Sequence, residues 1–524
     1  MWTVVSHLPG SLVKNTMEPM VHEVNNQRPN WKSKQLDAHA GHTYDMVICS
    51  VPWTETDMPL MAPAALKPIV EKAGFSCLAV DLNAEVVQQL TTSADRTKYI
   101  QFFMDGILDD SIKQEVNDLF NVLSDQILQV NPKFVGISVF TLHSRVATEY
   151  LCNCIKKKNA NVQILIGGAG CSLTFNMPAD LVGRLKQLNL IDHHIKGDAE
   201  NSLYHFLIGN KEYPGINDDD WKNLDNRELA MLPMPNYENY LFDFYKIKAM
   251  PIIGSRGCVK RCTFCDYVTH WNKFQWRTAE NIFDEMISQY QKYKIRHFKF
   301  QDSLINGGLK EFNKLCALLA NYNENNPNES MRWSSFFVLR DWTPSSEKAW
   351  ELIAKSGAVQ LNVGTESFSQ AVRYAMGKKY SDSSIIKHFE QAQKYGIHIR
   401  SLHIVGYITE TQTDIELSKQ WLRDNTRFID TVSFDWGSTL SIIDHTYLGD
   451  NKDKLGIILI NGDPMTWTSR YTDSTAEKRK AWTIELRELS ALLGFTVTAT
   501  GADNHYLLEQ SLAEKFDVFV EHVV

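Results

Sequence analysis

Short apolar runs alternate with amphipathic stretches through most of this 524-residue chain, and that alternation constrains its fold more than any other feature. In the first half the runs are YDMVICSVP (44–52), FSCLAVDL (75–82), KFVGISVFT (133–141), NVQILIGGAG (161–170) and DHHIKGDAE (192–200). Helix-like segments lie between them near 60–73, 111–129, 144–158 and 178–189. Continuous β-branched runs separated by helices imply a parallel sheet covered on both faces. Five such units predict a doubly wound, flavodoxin-like α/β fold over 44–212, with ligands at the carboxyl ends of the strands.

Small and polar residues collect at those ends. Ser138 and Thr141 close the third run, Gly167, Gly168 and Gly170 the fourth, and Gly197, Asp198 and Glu200 the fifth. Glycine lets backbone approach a ligand closely, and a hydroxyl bonds without bulk. Neither a G-x-G-x-x-G fingerprint after the first strand nor a phosphate-binding G-x-x-x-x-G-K-[ST] loop is present. Asp81, at the end of the second run, reads as a helix cap.

Residues 213–247 are acidic, then punctuated by proline, and read as a surface connector. Strand-like runs then recur at 249–254, 296–302, 332–339, 358–366, 397–406 and 428–434, with helical segments at 278–293, 309–322, 345–355, 383–395 and 412–423. This second βα array predicts a partial (β/α)6 barrel over 248–430, with its chemistry at the C-terminal rim. Polar groups collect there too: Gln301 and Asp302, Ser334 and Ser335, Thr365 and Glu366, then Arg400, His403 and Gly406. Residues 1–43 read as an irregular arm. Residues 431–524 read as barrel completion, where Trp436, Asp444, His445, Trp467, Arg470 and Tyr471 suit a pocket, a core or a surface equally.

The cysteines narrow the chemistry. Cys258, Cys262 and Cys265 follow the first strand of the second array, so they sit in a rim loop facing the polar strand ends. Three thiolates suit zinc, copper(I) or iron–sulfur clusters. His270 offers a fourth ligand for structural zinc. A 262/265 redox pair leaves Cys258 unexplained, and a closed electron-transfer cluster needs a fourth cysteine, with Cys316 or Cys171 available only through space. A cluster held by three cysteines leaves one iron open.

Nine cysteines, an odd and sparse set, do not form a disulfide scaffold. A formal charge of -8 without a long basic stretch gives no strong nucleic-acid signal. No apolar run approaches the ~18 residues that span a bilayer, and the first residues lack the order of a secretory signal. A cytoplasmic protein is expected.

The segment C258-V-K-R-C262-T-F-C265 resembles the signature of the radical S-adenosylmethionine (SAM) superfamily. KFQDS, GTES and LHIVGYITET, carrying Gln301, Asp302, Glu366, Gly406 and Glu410, resemble that family's second-, fourth- and fifth-strand motifs, although Gln301 stands where an acidic residue is common. The resemblance implies a [4Fe–4S] cluster on the three cysteines and SAM on its open iron. Contacts to SAM would come from Phe264, Gln301, Asp302, Ser335, Glu366, Arg400, His403 and Gly406.

The preceding SVFT, GGAG and GDAE strand ends are similar to the cobalamin-binding domain of one large subgroup. Pro52, Trp53, Thr54, Ser138, Thr141, Gly167, Gly168, Gly197, Asp198 and Glu200 would form that site. No D-x-H-x-x-G follows the first strand, so no histidine is expected on cobalt, and a residue among 52–54 would cover the lower face. The resemblance implies methyl transfer to an unactivated carbon of a small molecule or peptide, using a 5′-deoxyadenosyl radical, methylcobalamin and an external one-electron donor such as flavodoxin or ferredoxin. The alternatives are a cyclisation, ring contraction or other rearrangement without methyl transfer, or a zinc-stabilised binding protein. The sequence assigns no catalytic acid or base and no oligomeric state.

Overall fold

A computed structural model describes residues 31–498 apart from 55, 57, 92–94, 142, 172–179 and 435–439. Its N-terminal sheet contains β1 (Met46–Ser50), β2 (Cys77–Asp81), β3 (Phe134–Ser138), β4 (Gln163–Gly167) and β5 (His193–Ile195). All neighbours pair in parallel, in the order β2-β1-β3-β4-β5. This is the expected flavodoxin-like topology. Val47 and Cys49 pack into one apolar cluster while Met46 and Ile48 pack into another, so successive side chains on β1 serve opposite faces. That is why these strands read as unbroken apolar runs.

The register aligns Ser50 with Asp81 and Ser138, and Ser138 with Gly167, along one carboxyl edge. Asp81 Oδ1 accepts the Ala84 amide at 3.2 Å, as a cap should, and starts a helix over Leu82–Thr91. That helix, which buries Leu82, Val86 and Leu90 at helical spacing, and the next, Arg96–Asp105, lie between the helical segments expected from the sequence. The expected fifth run is shorter than its apolar pattern: β5 ends at Ile195, and Asp198 is the N-cap of the helix Ala199–Leu207.

The connector departs from a surface path. Tyr237, Tyr240 and Tyr245 are buried, and the Tyr240 and Tyr245 hydroxyls donate to Leu60 O and Asp81 Oδ2, both at 2.9 Å. Its aromatic half is therefore a wedge between the two sheets, sharing one core cluster with Met250, Met286 and Phe298 of the second sheet's side and Ala79 of the first. The acidic half alone runs exposed, and it contains a short capped helix, Asn226–Ala230.

The second sheet contains β6 (Ala249–Ile252), β7 (His297–Phe300), β8 (Arg332–Phe337), β9 (Ala358–Glu366), β10 (His398–His403), β11 (Thr431–Phe434) and β12 (Thr496–Thr498). It is parallel throughout, and its strands lie side by side in chain order. Six strands were expected; the seventh comes from the C-terminal extension. Helices over Ala279–Tyr293, Leu309–Asn325, Pro344–Lys355, Asp382–Lys394 and Gln412–Asp424 match the anticipated periodic segments. A hairpin (Ile457–Ile460 and Asp463–Ser469) and a helix (Ala476–Leu492) complete the described extension. Among the described residues no helix is long and apolar enough to cross a membrane.

Candidate active site

The cysteine loop is built on the end of β6. Asp302, past the end of β7, is fully buried and accepts Gly254 N at 2.8 Å and Ser255 Oγ at 2.5 Å. Burial pushes its carboxyl up to about 7, with those donors pulling the other way. Gly257 then turns the chain at φ 82°, and a Cβ there would run into the Lys273 carbonyl. Ser303 Oγ fastens the turn by donating to Gly257 O at 2.5 Å.

Further along, Arg261 donates to Cys258 O at 2.7 Å and Asn272 O at 2.6 Å, and Thr263 Oγ1 lies 2.7 Å from the Tyr407 hydroxyl. The loop is thus fastened to the loop past β7 and to the residues that follow β9 and β10.

Cys258, Cys262 and Cys265 are free and half-buried. Burial pushes the Cys265 thiol up to about 12, and the neighbouring Cys262 and Cys258 add to the shift. Cys262 is also raised by burial, against the pull of Lys378. Cys258 Sγ accepts the Lys260 amide at 3.4 Å, a bond suited to a thiolate. Three mutually sensed soft donors on one loop fit an iron–sulfur cluster in kind, and binding would displace their protons.

The zinc arrangement fits less well. His270 stacks on Trp221 at 5.7 Å, and burial and then Arg256 push it down to about 4. Among the described residues no group of three or more His, Cys, Asp or Glu side chains, the three thiols included, is arranged to hold a single metal ion, so what sets the zinc arrangement back is the place of His270 between Trp221 and Trp271.

The expected SAM residues divide into three sets. Glu366 and Gly406 stand at the rim beside the loop. Glu366 ends β9 at φ 63°, next to a register shift against β10, and such bulges re-aim side chains. Its Oε1 lies 2.9 Å from Lys378 Nζ. Burial works against the Lys378 charge, but Glu366 outweighs it and holds the ammonium protonated. Gly406 N donates to Glu410 Oε2 at 2.5 Å, and burial pushes Glu410 up to about 7.

Phe264 packs in the apolar cluster of Met376, Tyr407 and Ile408, and Gln301 is exposed at the rim. Asp302, Ser335 and His403 are instead internal. Asp302 braces the loop, and Ser335 Oγ donates to Phe336 O at 3.1 Å. His403 lies between Phe368 and Phe434 with Ser401 Oγ at 2.8 Å, and burial pushes it down to about 3. Arg400 is buried and donates to Ser433 Oγ at 3.1 Å. Lys378 was missed; its one sequence signal was the lysine pair in MGKKYS, which follows the GTES segment.

The expected cobalamin residues split as well. Pro52 is buried and Ser138 half-buried on the N-terminal rim. Trp53 stacks on Phe103, and Thr141 Oγ1 donates to Trp53 O at 3.1 Å. Thr54 is buried with its amide on Asn83 Oδ1 at 2.9 Å, yet its own hydroxyl has no partner among the described residues. Gly168 has φ 103°, and a Cβ would lie 2.6 Å from Val139 O. Gly167 is half-exposed beside it, and Phe140, which sequence reasoning passed over, is 57% exposed on the same rim. An orphan hydroxyl, exposed glycine backbone and an uncovered aromatic fit a large, partly apolar ring.

Gly197, Asp198 and Glu200 do not join that rim. Trp221 fills the space above Gly197, and both carboxylates pair with Arg256 of the cysteine loop, at 2.8 and 2.5 Å. Of the extension candidates, Trp467 is a core residue under the Arg479 guanidinium, 3.9 Å from its ring. Asp444 pairs with Lys452 at 3.0 Å, while His445, Arg470 and Tyr471 are exposed. Trp436 lies outside the described residues.

Residues 252–422 match the family model of the radical SAM superfamily. Over that third of its length the chain is similar to radical SAM domains. An uncharacterized methyltransferase of Pyrococcus horikoshii is 25% identical over 322 residues, covering 57% of this chain and 65% of that protein. Cytidylyl-2-hydroxyethylphosphonate methyltransferase of Streptomyces wedmorensis is 25% identical over 193 residues, covering 34% and 35%. The chain thus spans less than two thirds of the curated relatives it matches.

Two solved structures share the fold across most of the chain. The radical SAM methyltransferase TsrM of Kitasatospora setae, solved with tryptophan and a SAM analogue, superposes with TM-score 0.59 at 15% identity over 86% of this chain and 89% of its own. The cobalamin-dependent SAM radical enzyme OxsB, with aqua-cobalamin and SAM, gives 0.55 at 15% identity over 80% and 56%. At that identity the likeness shows the fold alone, a five-stranded parallel sheet followed by the larger parallel sheet.

Proposed function

We propose that the chain is a cobalamin-dependent radical SAM methyltransferase acting on an unactivated carbon of a small molecule or peptide. The observation that carries this reading is the three-thiol loop on the first strand of a parallel barrel, ion-paired to a flavodoxin-like sheet. The structures that share the fold were solved with cobalamin, a [4Fe–4S] cluster or SAM ligands, and the curated relatives are named methyltransferases. In this reading 44–212 is the cobalamin unit, 213–247 the linker, 248–430 the radical SAM barrel and 431–524 its completion.

When bound, these groups supply one-electron reduction of SAM and carry the methyl group. The protein's part is to hold and orient them. Cys258, Cys262 and Cys265 would ligate the cluster. Lys378 and Glu366, paired beside Cys262, would face the charged methionyl end and ribose of SAM. Glu410 holds Gly406 N and Tyr407 N in place on the same rim, at 2.5 and 3.3 Å, and would keep that backbone fixed for SAM. Trp53, Thr54, Phe140 and Gly168 would line the corrinoid face. Electrons would come from an external one-electron donor in the cytoplasm.

The alternative that the same cofactors would serve is rearrangement without methyl transfer. Methyl-labelled SAM separates the two. Label in the product, with both S-adenosylhomocysteine and 5′-deoxyadenosine formed, supports methyl transfer. An unlabelled product with only 5′-deoxyadenosine supports rearrangement.

A further inference from the structure

The GDAE segment was expected at a ligand, yet its carboxylates point at the cysteine loop. Arg256 stands two positions before Cys258. Its Nη1 lies 2.8 Å from Asp198 Oδ1 and 3.2 Å from Glu200 Oε2, and its Nη2 lies 2.5 Å from Glu200 Oε1. All three side chains are buried or nearly so, at 12%, 3% and 9% exposure. Asp198 also accepts Trp271 Nε1 at 3.0 Å and Leu224 N at 2.7 Å. It therefore joins the end of the N-terminal sheet, the connector and the segment after the cysteines.

A buried ion pair is weak evidence for stability, because desolvation cancels much of the attraction. What a bidentate guanidinium–carboxylate pair does supply is direction, since its planar fork accepts one relative orientation. The next residue, Gly257, is a positive-φ turn already fixed from the barrel side by Ser303. Arg256 fixes the same turn from the N-terminal side.

We infer that Asp198 and Glu200 are positioning residues for the cysteine loop, acting through Arg256 to tie the geometry of the thiols to the N-terminal domain. Its consequence for SAM rests on the radical SAM reading above; its consequence for loop dynamics does not.

The test uses the full-length chain and the variants Glu200→Gln, Asp198→Asn and Arg256→Lys. Glu200→Gln is isosteric and leaves Arg256 paired with Asp198, so the fold is kept. In the apo protein, hydrogen exchange over 254–266 should speed up roughly tenfold in Glu200→Gln and Asp198→Asn. Arg256→Lys, which keeps one charged bond, should fall between them and the parent.

After anaerobic reconstitution, Glu200→Gln should retain the parent's iron content. It should need roughly tenfold more SAM to produce the SAM-dependent change in the electron paramagnetic resonance spectrum of the reduced cluster. Exchange rates equal to the parent's would overturn the inference. So would lowered thermal stability with an unchanged SAM titration, which is the mark of a merely structural pair. A parent chain that takes up no iron–sulfur cluster would defeat the functional reading instead, and the exchange rates would still decide whether the carboxylates position the loop.

Discussion

Lys378 Nζ lies 2.9 Å from Glu366 Oε1, and both side chains are 11% exposed beside the cysteine loop. The lysine is electrostatically coupled to Cys262 as well as to Glu366. One ammonium thus links a thiol of the loop to the carboxylate at the end of β9.

Replacing Glu366 by Gln should weaken SAM binding at least tenfold while iron content stays near normal, as read by equilibrium binding to the reconstituted protein. Lys378→Met is harsher. It strands a buried carboxylate, which typically costs about 3–5 kcal/mol, so the thermal midpoint should fall together with SAM affinity.

Thr54 and Gly168 test the N-terminal rim with opposite signs. Thr54→Val removes a buried hydroxyl that has no partner among the described residues, so apo stability should hold or rise by about 1 kcal/mol while retention of added cobalamin falls. Gly168→Ala should lower both, because φ 103° is strained for alanine and its Cβ would press on Val139 O, a cost of about 1–3 kcal/mol. Absorbance of protein-bound corrinoid after gel filtration reads one effect, and denaturant unfolding reads the other.

Much of this architecture is legible in the sequence because it rests on local periodicity. Strands buried on both faces announce themselves as apolar runs, and β1 to β4 each lie inside their expected runs, with ends shifted by at most three residues. The cysteine loop is legible by spacing. Pairings that only folding brings together are not. Glu200 meets Arg256 across 56 positions, and nothing local in GDAE distinguishes an interface carboxylate from a ligand contact. Tyr237 and Tyr245 read as connector residues because their burial depends on partners distant in the chain, Tyr293 downstream for one and Asp81 upstream for the other. Thr496–Thr498 is too short to show a period, yet it finds its place beside β11.

Asp302 carries a pH signature. Burial holds its carboxyl at about 7 against an ordinary 3.8. Between those values the folded protein keeps a proton that the unfolded chain has lost. This group's contribution to stability therefore declines as pH rises through that window and is level above it. Asp302→Asn should remove the decline, so parent-minus-variant stability falls by about 4 kcal/mol at most between pH 4 and 7.5. Urea unfolding at several pH values checks it; a difference that rises with pH would be the wrong sign.

The central claim is that three thiols hold a cluster whose open iron takes SAM. Its most direct test is SAM cleavage by the anaerobically reconstituted, chemically reduced full-length protein, with 5′-deoxyadenosine measured by chromatography beside the Cys262→Ala variant. The parent should cleave SAM and the variant should not. Equal cleavage by both, or a parent that carries stoichiometric zinc with no iron or sulfide, would contradict it.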